Sequence, residues 1–287
     1  MKYAYYPGCS LKGTGKAYEK SFLALFNALE IELQEIPDWN CCGATTYMAI
    51  DDMAALALSF RNLALVQQMG LNKIVAPCSA CYLNLLKARN VMLEGGERKE
   101  RLCEALWKSG MEFDCSALPE VLHPLQVLTE EVGVERVKEK VKRPLKGVKV
   151  VPYYGCQIVR PFTGYDDPVY PVKLDLVLEA AGAEVISDYP LKTRCCGASL
   201  TGTIEEIGVR LNYLLLKEAK KRNASVIVTV CSLCHFNLEM YQSKMEEHFK
   251  MPILYFTQLL GYALGVSKKE LDFKRAIYKP VLEVKNG

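Results

Sequence analysis

Apolar and polar positions fall into blocks along this chain, and the blocks come round twice. Lys2 to Tyr6 is a strand-like run ending in Pro7-Gly8-Cys9, and Val148 to Tyr154 is a second one ending in Gly155-Cys156. Apolar residues at helical spacing follow each: Phe22, Leu25, Phe26 and Leu29 within Tyr18 to Leu29, then Leu174, Val177 and Leu178 within Val172 to Ala181. A short run (Ile31 to Asn40; Glu184 to Arg194) leads into Cys-Cys-Gly, where the glycine lets the chain turn sharply. Longer helices are predicted over Asp51 to Met69 and Ile204 to Arg222. The first has Asp51 and Asp52 at its start and Gly70 past its end. The second has Glu205 and Glu206 early and Lys217, Lys220, Lys221 and Arg222 late, so both suit the helix dipole. Short apolar strands, Lys73 to Ala76 and Ser225 to Val230, each enter a Cys-Ser-x-Cys and a further helical pattern. Val121 to Leu128 is then echoed by Ile253 to Leu260, and a helical insertion over Glu97 to Cys115 lengthens the first half.

Alternating strands and helices with motifs at strand ends predict an α/β fold of two pseudo-symmetric halves. Each is expected to be a small, mostly parallel sheet with flanking helices and a site at the strand C-terminal ends. The expected division is an N-terminal half over 1–135, a basic, solvated linker over 136–147 and a C-terminal half over 148–287. A pseudo-twofold between the halves would make their two sites face a shared cleft.

Bulk composition changes this picture little. The chain has 287 residues, 50% of them hydrophobic and 24% charged, enough for a buried core in an ordinary globule. A net charge of +3 gives no support to nucleic-acid or membrane-surface binding. The N-terminus lacks the apolar stretch of a signal peptide, and no segment reaches the roughly 20 apolar residues that span a bilayer. A cytoplasmic protein without direct membrane insertion is the expectation. There, twelve cysteines argue for metal or redox chemistry over structural disulfides.

Ten of those cysteines carry the chemistry. Cys9, Cys41, Cys42, Cys78 and Cys81 form one set, and Cys156, Cys195, Cys196, Cys231 and Cys234 repeat it at nearly equal spacing. Thiolates select soft or borderline metals. Structural zinc takes four ligands, so five is one too many, and an adjacent Cys-Cys pair suits a polynuclear cluster better than a single ion. Iron–sulfur is favoured over zinc and over metal-free dithiol chemistry. Cys103 and Cys115 lie outside the repeat and read as free buried cysteines.

The twofold Cys…Cys-Cys-Gly…Cys-x-x-Cys pattern resembles the CCG-domain family, and a stand-alone chain with two complete copies resembles the B subunit of heterodisulfide reductase. That resemblance covers nearly the whole chain. It implies two non-cubane [4Fe–4S] clusters, one on each set of five cysteines, with the coenzyme M–coenzyme B disulfide cleaved between them. It also implies a ferredoxin-like C subunit that donates the electrons and a flavin-containing A subunit behind it. After Cys9 the chain reads Ser10-Leu11-Lys12-Gly13-Thr14-Gly15-Lys16, which is more like relatives in sulfur metabolism, so a different disulfide, or oxidation of a sulfur-carrying thiol, is the alternative. CCG domains also serve in the electron-transfer components of dehydrogenases. A zinc-stapled interaction module is the reading of a different class.

Lys12, Lys16, Arg160, Lys192 and Arg194 lie near motif cysteines. Solvated surface is the ordinary reading for each, with Lys16 or Arg194 as candidate contacts to an anionic substrate group. His235, next to Cys234, reads as helix-start packing. With no nucleotide-binding glycine fingerprint and no ferredoxin cysteine run, electrons are expected to come from partners.

Overall fold

The computed structural model describes residues 1–44, 46–162 and 165–282. In chain order the first half comprises β1 (Lys2–Tyr5), α1 (Gly8–Lys12), α2 (Lys16–Ala28), β2 (Glu32–Glu35), α3 (Thr46–Ile50), α4 (Asp52–Gln68), β3 (Lys73–Val75), α5 (Ser79–Glu94), α6 (Gly96–Lys108), β4 (Glu120–Leu122) and α7 (Pro124–Gln126). A π-helical turn over Val127–Val132 and α8 (Val134–Glu139) lead across. The second half comprises β5 (Lys149–Tyr153), α9 (Lys173–Ala180), β6 (Glu184–Val185), α10 (Glu205–Lys221), β7 (Val226–Thr229), α11 (Ser232–Met240), β8 (Ile253–Tyr255) and α12 (Phe256–Ala263).

Two four-stranded sheets result, ordered β2-β1-β3-β4 and β6-β5-β7-β8, with every pairing parallel. Parallel strands need crossover connections, and the alternating helices supply them. In each sheet the chain leaves the first strand toward one edge and returns to its other side, so the carboxyl ends of β1 and β3, and of β5 and β7, border a crevice. Cys9 follows β1, Cys78 follows β3, Cys156 follows β5 and Cys231 follows β7. Topology thus delivers the separated cysteine and the Cys-x-x-Cys of each set to one place.

The halves do not have separate cores. One apolar cluster runs through the first half and on into α9 and α12, while a smaller one lies beneath α10 and α11. The rings of Tyr18 (α2) and Tyr255 (β8) stack at 4.4 Å, and Tyr255 stacks in turn on His235 at 4.1 Å. Ser21 and Thr257 share a buried hydrogen bond of 2.7 Å across the same seam.

In the stretch 136–147 the basic residues Arg136, Lys138, Lys142, Arg143 and Lys146 are exposed, as expected of a solvated run, while Val137 in α8 and Leu145 are fully buried and the amides of Lys142 and Arg143 donate to Ala263 at the end of α12. One expectation is corrected here. Cys103 and Cys115 are not free thiols but form a disulfide. The loop after α6 folds back toward the helix and brings their Cα atoms to 6.4 Å, inside bridging distance. Sequence spacing alone carries no signal of that return.

Candidate metal centre

Each crevice gathers thiols from three chain segments. In the first, Cys9 stands near Cys41, Cys41 adjoins Cys42, Cys42 approaches Cys81 at 3.4 Å, and Cys81 adjoins Cys78. In the second, Cys196 approaches Cys234 at 3.5 Å, Cys234 hydrogen-bonds Cys231, and Cys156 hydrogen-bonds Cys195. Backbone glycine walls the pits. An ideal Cβ on Gly8 would stand 2.8 Å from Cys81 Sγ, and one on Gly155 would stand 3.0 Å from Cys234 Sγ.

The thiols divide in acidity. The bond from Cys41, and then that from Cys81, brings Cys42 down to about 4. Cys195 falls to about 6 through Cys156, helped by the Gly197 amide and Arg160. Cys231 falls to about 7 through Cys234. Cys41, Cys81, Cys156 and Cys234 are pushed upward by the neighbouring thiols and by burial. Thiolate is the metal-binding form, so each crevice is primed at some of its donors. Five thiols around a glycine-walled pit suit a thiophilic polynuclear group. Among the described residues no group of three or more His, Cys, Asp or Glu side chains is placed to hold a metal ion.

The two crevices touch. Ser232, inside the second Cys-Ser-x-Cys, lies near Cys78 and helps to lower its pKa; Ser79, inside the first, acts likewise on Cys231 and donates to the Val230 carbonyl at 3.4 Å. Ser10, beside Cys9, donates to Ser232 at 2.7 Å. The repeated serine is visible in the sequence, but its partner in the opposite half is not. Between the crevices sits His123, fully buried, with Nε2 at 3.0 Å from the Pro77 carbonyl and 3.2 Å from that of Val230. Its Nδ1 accepts from the Leu125 amide at 3.2 Å, so the proton lies on Nε2 and is shared by the two carbonyls. Those carbonyls directly precede Cys78 and Cys231. Tyr18 adds a bond to the Val230 carbonyl at 3.0 Å.

Burial holds the His123 imidazole well below its ordinary 6.5, at about 3. The unfolded chain takes up a proton near 6.5 that the folded chain refuses, so stability falls as pH drops below about 6.5. The urea midpoint is expected to be lower at about pH 5 than at about pH 7, and the gap to shrink in His123→Gln. An equal gap in both proteins would contradict this assignment.

The candidate cations separate clearly. Lys16 is exposed at the start of α2. Arg194 is exposed beside Cys195 and lines a cavity with it. Lys12 is held by Glu19 at 2.6 Å and Glu35 at 2.9 Å. Lys192, expected at the solvated surface, is buried and paired with Asp175 at 2.5 Å. Arg160 donates to the Thr193 carbonyl. His235 packs as expected, its ring on Tyr255. Sequence reasoning missed His123 and Asp175; a lone histidine and a helical aspartate carry no motif.

Two parallel α/β halves, each with a full five-thiol crevice at its strand ends, define a tandem cysteine-rich-domain protein. The family described as the cysteine-rich domain (CCG) matches residues 3–86 and 150–239, and the chain belongs to it. It is 34% identical over 96% of its length to the membrane anchor of the 8-methylmenaquinol:fumarate reductase of Wolinella succinogenes, covering 96% of that protein. It is 31% identical to the B subunit of the ferredoxin:CoB-CoM heterodisulfide reductase of Methanosarcina mazei, over 96% of this chain and 93% of the relative. It is 30% identical to an Archaeoglobus profundus protein described as like the B subunit of heterodisulfide reductase, over 94% and 93%. A hypothetical protein from Helicobacter pylori shares the fold at a TM-score of 0.77 and 15% identity; the match covers 98% of this chain and about half (53%) of that one. Among the described residues no helix is long and apolar enough to cross a membrane.

Proposed function

We propose that this chain is the iron–sulfur component of an oxidoreductase complex of the heterodisulfide-reductase type, reducing or forming a disulfide between two [4Fe–4S] clusters of the non-cubane kind. The observation that supports this reading is the adjacency of the two thiol sets, with Ser10 on Ser232 at 2.7 Å, Ser79 on the Val230 carbonyl at 3.4 Å and His123 between the Pro77 and Val230 carbonyls. Cys9, Cys41, Cys42, Cys78 and Cys81 would hold one cluster; Cys156, Cys195, Cys196, Cys231 and Cys234 the other. Such clusters supply electrons one at a time. Opening a disulfide takes two electrons and two protons to give two thiols; two adjoining one-electron sites would supply the electrons and solvent water the protons. Arg194, and more remotely Lys16, would contact an anionic group of the substrate. A ferredoxin-like C subunit, fed by a flavin-containing A subunit, would deliver the electrons, and the cytoplasm is the proposed compartment.

Anaerobically purified chain is expected to carry about eight irons with matching sulfide and a paramagnetic signal that changes with added thiol. Zinc with little iron would defeat the reading. The Wolinella relative favours a second one, an electron-transfer component of a reductase complex. Reduced, iron-loaded chain that leaves every tested disulfide intact would support that alternative.

A further inference from the structure

Each Cys-Cys pair is held by its backbone from both sides. The carbonyl just before the pair accepts from a tyrosine hydroxyl: Asn40 from Tyr6 at 2.7 Å, Arg194 from Tyr153 at 2.6 Å. The carbonyl of the second cysteine accepts from an asparagine amide: Cys42 from Asn84 at 3.1 Å, Cys196 from Asn237 at 2.6 Å. Tyr6 and Tyr153 stand three residues before Cys9 and Cys156, and Asn84 and Asn237 three residues after Cys81 and Cys234. The repeat therefore runs from tyrosine to asparagine, beyond the cysteines themselves. On α5 and α11 a spacing of three puts the asparagine on the face of the last cysteine. Cys42 thus meets α5 twice, by its sulfur at Cys81 and by its carbonyl at Asn84, and Cys196 meets α11 in the same two ways. Tyr6 and Tyr153 are fully buried, and Asn84 and Asn237 nearly so.

The halves differ in what reinforces these bonds. Gly43 packs on Ala55 of α4 and Gly197 on Gly208 of α10, each with an ideal Cβ 3.0 Å from the facing Cα, so Ala55 and Gly208 are equivalent. Ser59 then corresponds to Asn212, and Asn62 to Leu215. In the first half both add a donor: Ser59 to the Cys42 carbonyl at 2.7 Å, and Asn62 to that of Asn40 at 3.1 Å. In the second, Asn212 turns its amide to the Gly208 carbonyl at 2.8 Å, and the side chain of Leu215 has no donor to give. Thr201 orients Asn237 by donating to its Oδ1 at 3.0 Å. Among the described residues the Arg194 and Cys196 carbonyls have no second donor.

We infer that Tyr6 with Asn84, and Tyr153 with Asn237, are positioning residues for the metal ligands, and that the second Cys-Cys pair is the more yielding of the two. The inference rests on the cluster reading above and adds to it four residues and an asymmetry. Side chains of neighbouring residues diverge, so two adjacent thiols face one crevice only while the peptides around them keep a fixed twist. The tyrosine fixes that twist before the pair and the asparagine after it, where a glycine at positive φ (+71° at Gly43, +75° at Gly197) turns the chain away. All four act through backbone carbonyls, as supports of the ligands. A buried carbonyl that loses its one donor costs more than a carbonyl that keeps a second. The ligands of the second crevice therefore shift more readily when the charge they hold changes.

The test follows release of iron from the loaded full-length chain to a chelator, together with the electron paramagnetic resonance signal and midpoint potential of each cluster. Tyr153→Phe, which keeps the ring and its packing, and Asn237→Ala are each expected to speed release of roughly half the iron about tenfold, and to shift the signal and potential of that same cluster. Tyr6→Phe and Asn84→Ala should speed release only about twofold, because Asn62 and Ser59 still serve the two carbonyls. Ser59→Ala/Asn84→Ala should raise this to about tenfold, while Ser59→Ala alone stays near twofold. Wild-type release in all four single variants at the tyrosines and asparagines would overturn the positioning role. Equal release in the matching variants of the two halves would overturn the asymmetry. Faster release with a lowered Tm but an unshifted signal and potential would mark these bonds as scaffold alone and overturn the proposal as well. Wild-type chain that holds zinc and no iron would instead defeat the cluster reading, and the same release series on zinc would still decide the positioning role.

Discussion

Gly155→Ala is expected to empty the second crevice of metal while the first stays loaded, and Gly8→Ala to do the reverse. Both glycines sit at positive φ, +64° at Gly8 and +70° at Gly155, where a side chain costs roughly 1–2 kcal/mol. Their added methyls would press on a ligand sulfur, Cys81 at 2.8 Å and Cys234 at 3.0 Å. Gly8 is the more crowded, because Tyr6 also lies 3.2 Å from the new carbon. Each variant is therefore expected to hold about half the wild-type iron, with the remaining cluster spectroscopically normal. Iron and sulfide analysis with electron paramagnetic resonance checks this. Full loading of both variants would show that the sulfurs do not need the glycine wall.

The largest loss of stability is expected from Asp175→Ala. Asp175 accepts from Lys192 at 2.5 Å and from the Tyr154 hydroxyl at 2.7 Å, and both charged side chains are 5% exposed. Burial pushes the Asp175 carboxyl upward, against the pull of Lys192 and Tyr154. Removing it leaves a buried ammonium with the Pro171 carbonyl at 3.2 Å and the Tyr154 ring at 6.0 Å but no counter-charge among the described residues. Breaking such a pair costs roughly 3–5 kcal/mol, a fall in Tm of order 10 °C. The loss reaches the site, since the Lys192 carbonyl accepts from the amides of Tyr154 and Gly155, just before Cys156, and Lys192 itself lies three residues before Cys195. An apolar pair, Asp175→Leu/Lys192→Met, should recover much of the stability. Thermal melts of the two variants decide the matter: equal Tm values would mean the pair's charges do not set the cost.

Strands β1, β3, β5 and β7, the longer helices of the repeat and the spacing of the ten cysteines were legible because each leaves a periodic or spaced trace, whereas β2, β4, β6 and β8 leave none. β1 and β5 end where glycine precedes a cysteine, and the long helices α4 and α10 carry their charges where a dipole wants them. What stayed hidden depends on chain segments meeting across the fold. Lys192 looks like any surface lysine until Asp175, seventeen residues away on α9, turns inward to meet it. His123 is one apolar-flanked histidine until the second half presents the Val230 carbonyl to it. Cys103 and Cys115 lie twelve residues apart, a spacing that fits a helix with two free thiols as well as a closed loop. Asn62 and Leu215 could not be compared before the packing of Gly43 and Gly197 set the register.

The ring stack from Tyr18 through Tyr255 to His235 has a consequence for how the chain opens. A helix of the first half and a strand and helix of the second lean on the same aromatic column, and His123 ties the loops entering both thiol sets. Neither half can therefore breathe as an independent foldon: a fluctuation that parts the column loosens both crevices at once. If the two crevices act on one bond, as proposed, they are in this way kept to one common rhythm of opening and closing.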